Sequence, residues 1–143
     1  MYRNTLRHEV AHAVLYDLYP GLPGWAHEGA ASFTETQSSR GRRRGRYAAS
    51  KREGKLHDTL GFLRGEGAMG DEAESIRAYY AQALLTFEAL RELKDGPREA
   101  LNLIKRIARD GPARALADAH LEVATLEATA DRIAADQSVG GDD

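Results

Sequence analysis

Apolar residues recur along this chain at the spacing of helix faces rather than of strands. Leu6, Val10, Ala13 and Val14, together with Asp17, gather on one side of a helix over residues 3–19 when each residue turns by ~100°. Pro20-Gly21-Leu22-Pro23-Gly24 is a turn, and a second helix over 25–37 follows, with Pro23 near its first turn. Residues 38–55, rich in Ser, Gly and Arg and without periodicity, read as a basic flexible loop. A short helix over 56–64 precedes a glycine-rich break at 65–70. Asp71 is a plausible N-cap for a long helix whose buried stripe is Ile76, Tyr80, Ala83, Leu84, Phe87 and Leu90. Asp95-Gly96-Pro97 and Asp110-Gly111-Pro112 each open a further helix, with proline at the first helical position. No segment alternates as a strand would, so the expected fold class is all-α. One helical domain over 1–137 and a disordered tail over 138–143 complete the expected organisation.

The length of 143 residues suits one domain, and 42% apolar with 29% charged residues is an ordinary globular mixture. No apolar run is long enough to span a membrane, and the first residues lack a signal peptide's apolar core. The absence of cysteine excludes disulfides, thiol nucleophiles and thiolate metal sites, and it agrees with a cytoplasmic setting. Any metal would have to be held by histidine and carboxylate.

That chemistry is present in one place. His8-Glu9-Val10-Ala11-His12 is a His-Glu-x-x-His motif, which chance would produce in about one of seventy sequences of this composition. Histidines at i and i+4 lie one above the other on a helix, so both imidazoles can grip one ion at ~2.0–2.1 Å. The pair points away from Leu6, Val10 and Val14, so the apolar side is expected to pack while the histidines face a cleft. Glu9 is turned by ~100° from His8, outside the ligand set but close to a water on the metal. A third ligand must come from elsewhere, and His27 and Glu28 both qualify; only one of them can face the ion.

The segment Trp25-Ala26-His27-Glu28-Gly29-Ala30-Ala31-Ser32, following His-Glu-x-x-His, resembles the gluzincin metallopeptidases. It is most similar to peptidase MA-like domains, relatives of the M1 aminopeptidases, whose Trp-x-x-Glu-Gly-x-Ala signature maps onto Trp25, Glu28, Gly29 and Ala31. The resemblance implies one Zn²⁺ per chain held by His8, His12 and Glu28, with Glu9 as general base and His27 as a neighbour only. It also implies that Ser32 supports the ligands, while Trp25 reads as a core anchor. Ala78-Tyr79-Tyr80-Ala81-Gln82-Ala83 is similar to a family segment that would make Tyr80 an oxyanion donor, with Tyr79 as the alternative. The implied activity is hydrolysis of a peptide or protein substrate. Gluzincins place a β-sheet before the metal-binding helix, and only seven residues precede His8. The substrate-binding strand would then come from a partner or a missing segment; the other reading is a non-catalytic zinc-binding interaction module.

Charge adds one further feature. Residues 40–55 carry eight basic side chains against Glu53, in a chain whose net charge is −2. An arginine run of this kind can attract phosphate. The body is acidic and only Tyr47 accompanies the run, so a solvated segment at the cleft mouth is expected rather than a nucleic-acid site. His57 and His120 fall outside any motif and read as surface residues.

Overall fold

The computed structural model describes residues 2–67 and 69–136. It contains eight helices and, among the described residues, no strand: α1 (Tyr2–Leu18), α2 (Gly24–Phe33), α3 (Gln37–Arg52), α4 (Thr59–Leu63), α5 (Ala73–Leu93), α6 (Pro97–Asp110), α7 (Pro112–Asp118) and α8 (Val123–Ala135). The chain is all-α. The expected tail at 138–143 lies outside the described residues.

Helix α5 is the axis of the fold. Residues 81–90 are buried on every side, because α2, α3, α6 and α8 all pack around it. It begins at Ala73, two residues beyond Asp71, with Glu72 as its N-cap. Of the expected stripe, Ala83, Leu84, Phe87 and Leu90 are fully enclosed, while Ile76 and Tyr80 remain partly open. Helices α2 and α5 share the most extensive contact, and Gly29 permits their close approach. A Cβ at Gly29 would run into the Ala83 carbonyl and lie 3.0 Å from Cβ of Phe87. Trp25, 1% exposed, anchors the same helix by donating from Nε1 to the Leu63 carbonyl at 3.1 Å and packing on Phe62. Both Asp-Gly-Pro sequences open helices as expected; Gly96 and Gly111 adopt φ of 137° and 88°, which side chains disfavour.

Two segments differ from the sequence reading. Residues read as a flexible loop form the helix α3 over Gln37–Arg52. Thr36 caps it, its hydroxyl accepting from the Ser39 amide at 3.3 Å. The helix shows no apolar period because its inward face is polar: Ser39, Arg43, Tyr47 and Ser50 sit at helical spacing. Ion pairs replace apolar contacts there, with Arg43 on Glu35 at 3.0 Å, Arg44 on the buried Glu88 at 2.8 Å, and Lys51 on Asp131 at 2.6 Å. Arginine is also a good helix former, so the run carries its own propensity. The helix read over 25–37 correspondingly divides, ending at Phe33 before α3 begins.

Helix α1 forms where expected but is rotated the other way. Leu6, Val10 and Val14 are 67%, 52% and 48% exposed, and the inward face is His8, Ala11, His12 and Leu15, with Tyr19 just past the helix end. The helix packs chiefly on α2, and the contacts of its histidines with acidic side chains set the rotation. His57 also departs from the surface reading. It is partly buried against Phe62 and Tyr79, and its backbone N–H and carbonyl are clamped by the amide of Gln82 at 2.9 and 2.8 Å.

Candidate metal centre

The i, i+4 spacing on α1 brings the two imidazoles together, with ring centroids 4.7 Å apart. Nε2 of His8 lies 3.0 Å from Nε2 of His12 and 3.2 Å from Oε2 of Glu28. Oε1 of Glu28 is 3.3 Å from Nε2 of His12, so the three side chains form a triangle across α1 and α2 in which each histidine faces a different Glu28 oxygen. A tetrahedral ion with ligands at 2.0–2.1 Å would hold its donors about 3.3 Å apart, close to the spacing of the two imidazole nitrogens and of each from its own Glu28 oxygen. One donor atom from each of these three residues falls within 4.8 Å of the others. The set, two imidazoles and one carboxylate, suits a divalent ion such as zinc.

The electrostatics describe the same competition for a cation. Hydrogen bonds to Glu28 and Glu35 outweigh the opposing effect of burial and raise the His8 pKa to about 9. Burial pushes the Glu28 carboxyl up, but the hydrogen bond from His8 and the charges of His12, His8 and Arg43 bring it below its ordinary value. A proton on Nε2 of His8 thus sits where an ion would sit, and metal binding must displace it.

His27 does not join the triangle. It is 3% exposed and stacks on Tyr16 at 4.1 Å, and burial followed by the charge of His12 lowers its pKa. Turned by one residue on α2, it faces the far side of His12, with ring centroids 6.1 Å apart. Ser32 is fully buried and its hydroxyl has no hydrogen-bond partner among the described residues, so it does not support a ligand as expected.

Glu35 makes the contact that Ser32 does not. Nδ1–H of His8 donates to Oε2 of Glu35 at 3.2 Å. Glu35 is in turn fixed by the Ser39 hydroxyl at 2.6 Å and by Arg43 at 3.3 and 3.0 Å. Burial raises its carboxyl, yet the hydrogen bonds from His8 and Ser39 and the charge of Arg43 outweigh it and hold the pKa down to about 2. A carboxylate on the remote nitrogen of a ligating histidine fixes its tautomer and ring orientation. The sequence carries a signal for Glu35: it lies seven residues after Glu28, on the same face of the helix expected over 25–37, although in the structure it sits in the turn between α2 and α3.

A cavity of about 250 Å³ opens beside His8, lined by Thr5, His8, Glu9, Glu35, Arg43 and Tyr80. Glu9 and Tyr80 therefore share one space with the first histidine. Tyr79, one residue away on α5, turns instead toward His57 and Phe62. Burial, followed by the charge of Glu28, raises the pKa of Tyr80 and keeps its hydroxyl protonated near neutral pH. No helix among the described residues is long and apolar enough to cross a membrane. Comparison with known protein families, with curated proteins and with solved structures finds no match to this chain.

Proposed function

We propose that this chain is a gluzincin-type zinc metallopeptidase domain that hydrolyses peptide bonds in a peptide or protein substrate. The observation that carries the reading is the convergence of His8, His12 and Glu28, whose Nε2 atoms lie 3.0 Å apart and 3.2 and 3.3 Å from Oε2 and Oε1 of Glu28 respectively. Zinc held there supplies Lewis acidity and lowers the pKa of a water toward neutrality. Glu9, in the cavity beside His8, takes the proton of the attacking water on its carboxylate and returns it to the leaving amine. The Tyr80 hydroxyl, in the same cavity, donates to the carbonyl oxygen as negative charge develops. Glu35 holds His8 in the tautomer that leaves Nε2 free to ligate.

The test is cleavage of an unstructured protein by the chain loaded with one equivalent of zinc. Cleavage should stop on chelation, return with zinc, and be lost in Glu9→Gln while that variant keeps its metal. Cleavage that survives Glu9→Gln would remove the proposed base.

One observation favours a second reading. Among the described residues the exposed large apolar side chains all lie on α1, and four of them, Leu6, Val10, Val14 and Leu18, follow at i+4 spacing on one face. Such a face suits a zinc-binding interaction module, or a domain that takes its substrate-binding strand from a partner or a further segment. Stoichiometric zinc without cleavage of any substrate would support the module.

A further inference from the structure

A second cavity, of about 430 Å³, adjoins the first and shares Arg43 and Tyr80 with it. One wall is a single face of α3, where Ser39, Arg42, Arg43 and Arg46 follow at i, i+3, i+4 and i+7. The other wall is the start of α5, with Ile76, Arg77 and Tyr80. Four of these seven side chains are guanidinium groups, and no carboxylate is among them. Several acids approach the cluster from outside, Glu9 and Glu28 among them near the shared Arg43 and Tyr80. Glu35 is engaged by Arg43 at 3.0 Å, and Glu74 pairs with Lys55 at 2.7 Å, receiving only weaker attraction from Arg46 and Arg77. Arg42 donates to the Ser38 hydroxyl at 3.3 Å. Among the described residues, Arg42, Arg46 and Arg77 make no ion pair.

A concave site with uncompensated positive charge concentrates anions, and guanidinium forks match carboxylates in a bidentate geometry. We propose that this cavity is a subsite for a carboxylate of an acidic peptide, bound beside the centre formed by His8, His12 and Glu28. Ile76 and the Tyr80 ring offer apolar surface to the methylenes that carry such a carboxylate. Arg43 joins the two cavities, touching Glu35 on one side and lying 5.4 Å from the centroid of the Tyr80 ring on the other. A polyanionic nucleic acid fits less well. Arg43 and Arg44 are engaged by Glu35 and Glu88, and the chain as a whole carries −2. The subsite gives a substrate class to the peptidase reading and rests on it, but its binding can be measured without turnover.

The experiment is fluorescence anisotropy with labelled, capped peptides that differ only in Glu against Gln, using the zinc-treated Glu9→Gln protein. A third peptide, with a free C-terminus and no acidic side chain, separates a terminal carboxylate from a side-chain one. The acidic peptides should bind at least about tenfold more tightly than the Gln peptide at moderate salt, and Arg46→Ala with Arg77→Ala should abolish the difference. Arg109→Ala with Arg114→Ala removes the same net charge elsewhere and should preserve it. Equal affinity for Glu and Gln peptides would overturn the subsite, as would equal losses in the two double variants. So would tighter binding of a single-stranded oligonucleotide that depends on Arg46 and Arg77. Cleavage without acidic preference would sink the subsite alone; acidic preference in binding, with no cleavage by the unmutated protein, would sink the peptidase reading alone.

Discussion

Glu35 accepts a hydrogen bond from Nδ1 of His8 at 3.2 Å while Nε2 of the same ring faces Glu28, also at 3.2 Å. One imidazole is thus held from both ends by carboxylates on the polypeptide that begins at α2. Removing the Glu35 charge should free the ring to change tautomer. Glu35→Gln is expected to weaken zinc binding by roughly 10- to 100-fold in a chelator competition. Nitrogen-15 shifts of His8, read above its pKa of about 9 where the ring is neutral, should show the Nδ1–H tautomer losing population. A variant with unchanged affinity and unchanged His8 shifts would leave Glu35 a merely structural residue.

Gly29 and Gly45 are both helical glycines and should respond oppositely to the same change. A Cβ at Gly29 meets the Ala83 carbonyl and Phe87, so Gly29→Ala must push α2 away from α5, at about 3 kcal/mol. A Cβ at Gly45 meets nothing within 4 Å, and alanine there should stabilise α3 by about 0.5–1 kcal/mol. Urea denaturation of the two variants checks the pair. Equal destabilisation would mean that α3 is not a helix in solution.

The rotation of α1 makes a similar contrast. Leu15 is 8% exposed and packs into the core, so Leu15→Ala should cost about 2–3 kcal/mol. Leu6→Gln and Val10→Gln act on exposed positions and should each stay within about 0.5 kcal/mol of the unmutated chain. Thermal denaturation of the zinc-free protein decides between this rotation and its inverse, in which the two costs would be exchanged.

Local chemistry was legible in the sequence, and non-local pairing was not. The helix starts at Pro97 and Pro112 follow from neighbours in the chain, as does the stacking of His8 over His12. The orientation of α1 was misread because an apolar stripe normally turns inward. Here the inward pull comes from Glu28 and Glu35, whose position depends on how α2 crosses α1. The α3 helix escaped notice for a related reason. Its buried partners are charges, and Glu88 and Asp131 lie 44 and 80 residues from Arg44 and Lys51. Glu28 faces the two imidazoles of α1 while His27 stacks on Tyr16, a difference set by how α2 packs through Trp25 and Gly29.

In the proposed centre, two helices present one shared set of donors to a single divalent ion. Calorimetric titration of the metal-free chain with zinc tests it directly, using Glu28→Ala and His27→Ala beside the parent protein. One zinc per chain should bind the parent and His27→Ala with similar affinity, and Glu28→Ala should lose at least about 100-fold. Undiminished binding in Glu28→Ala, or a loss confined to His27→Ala, would contradict the account.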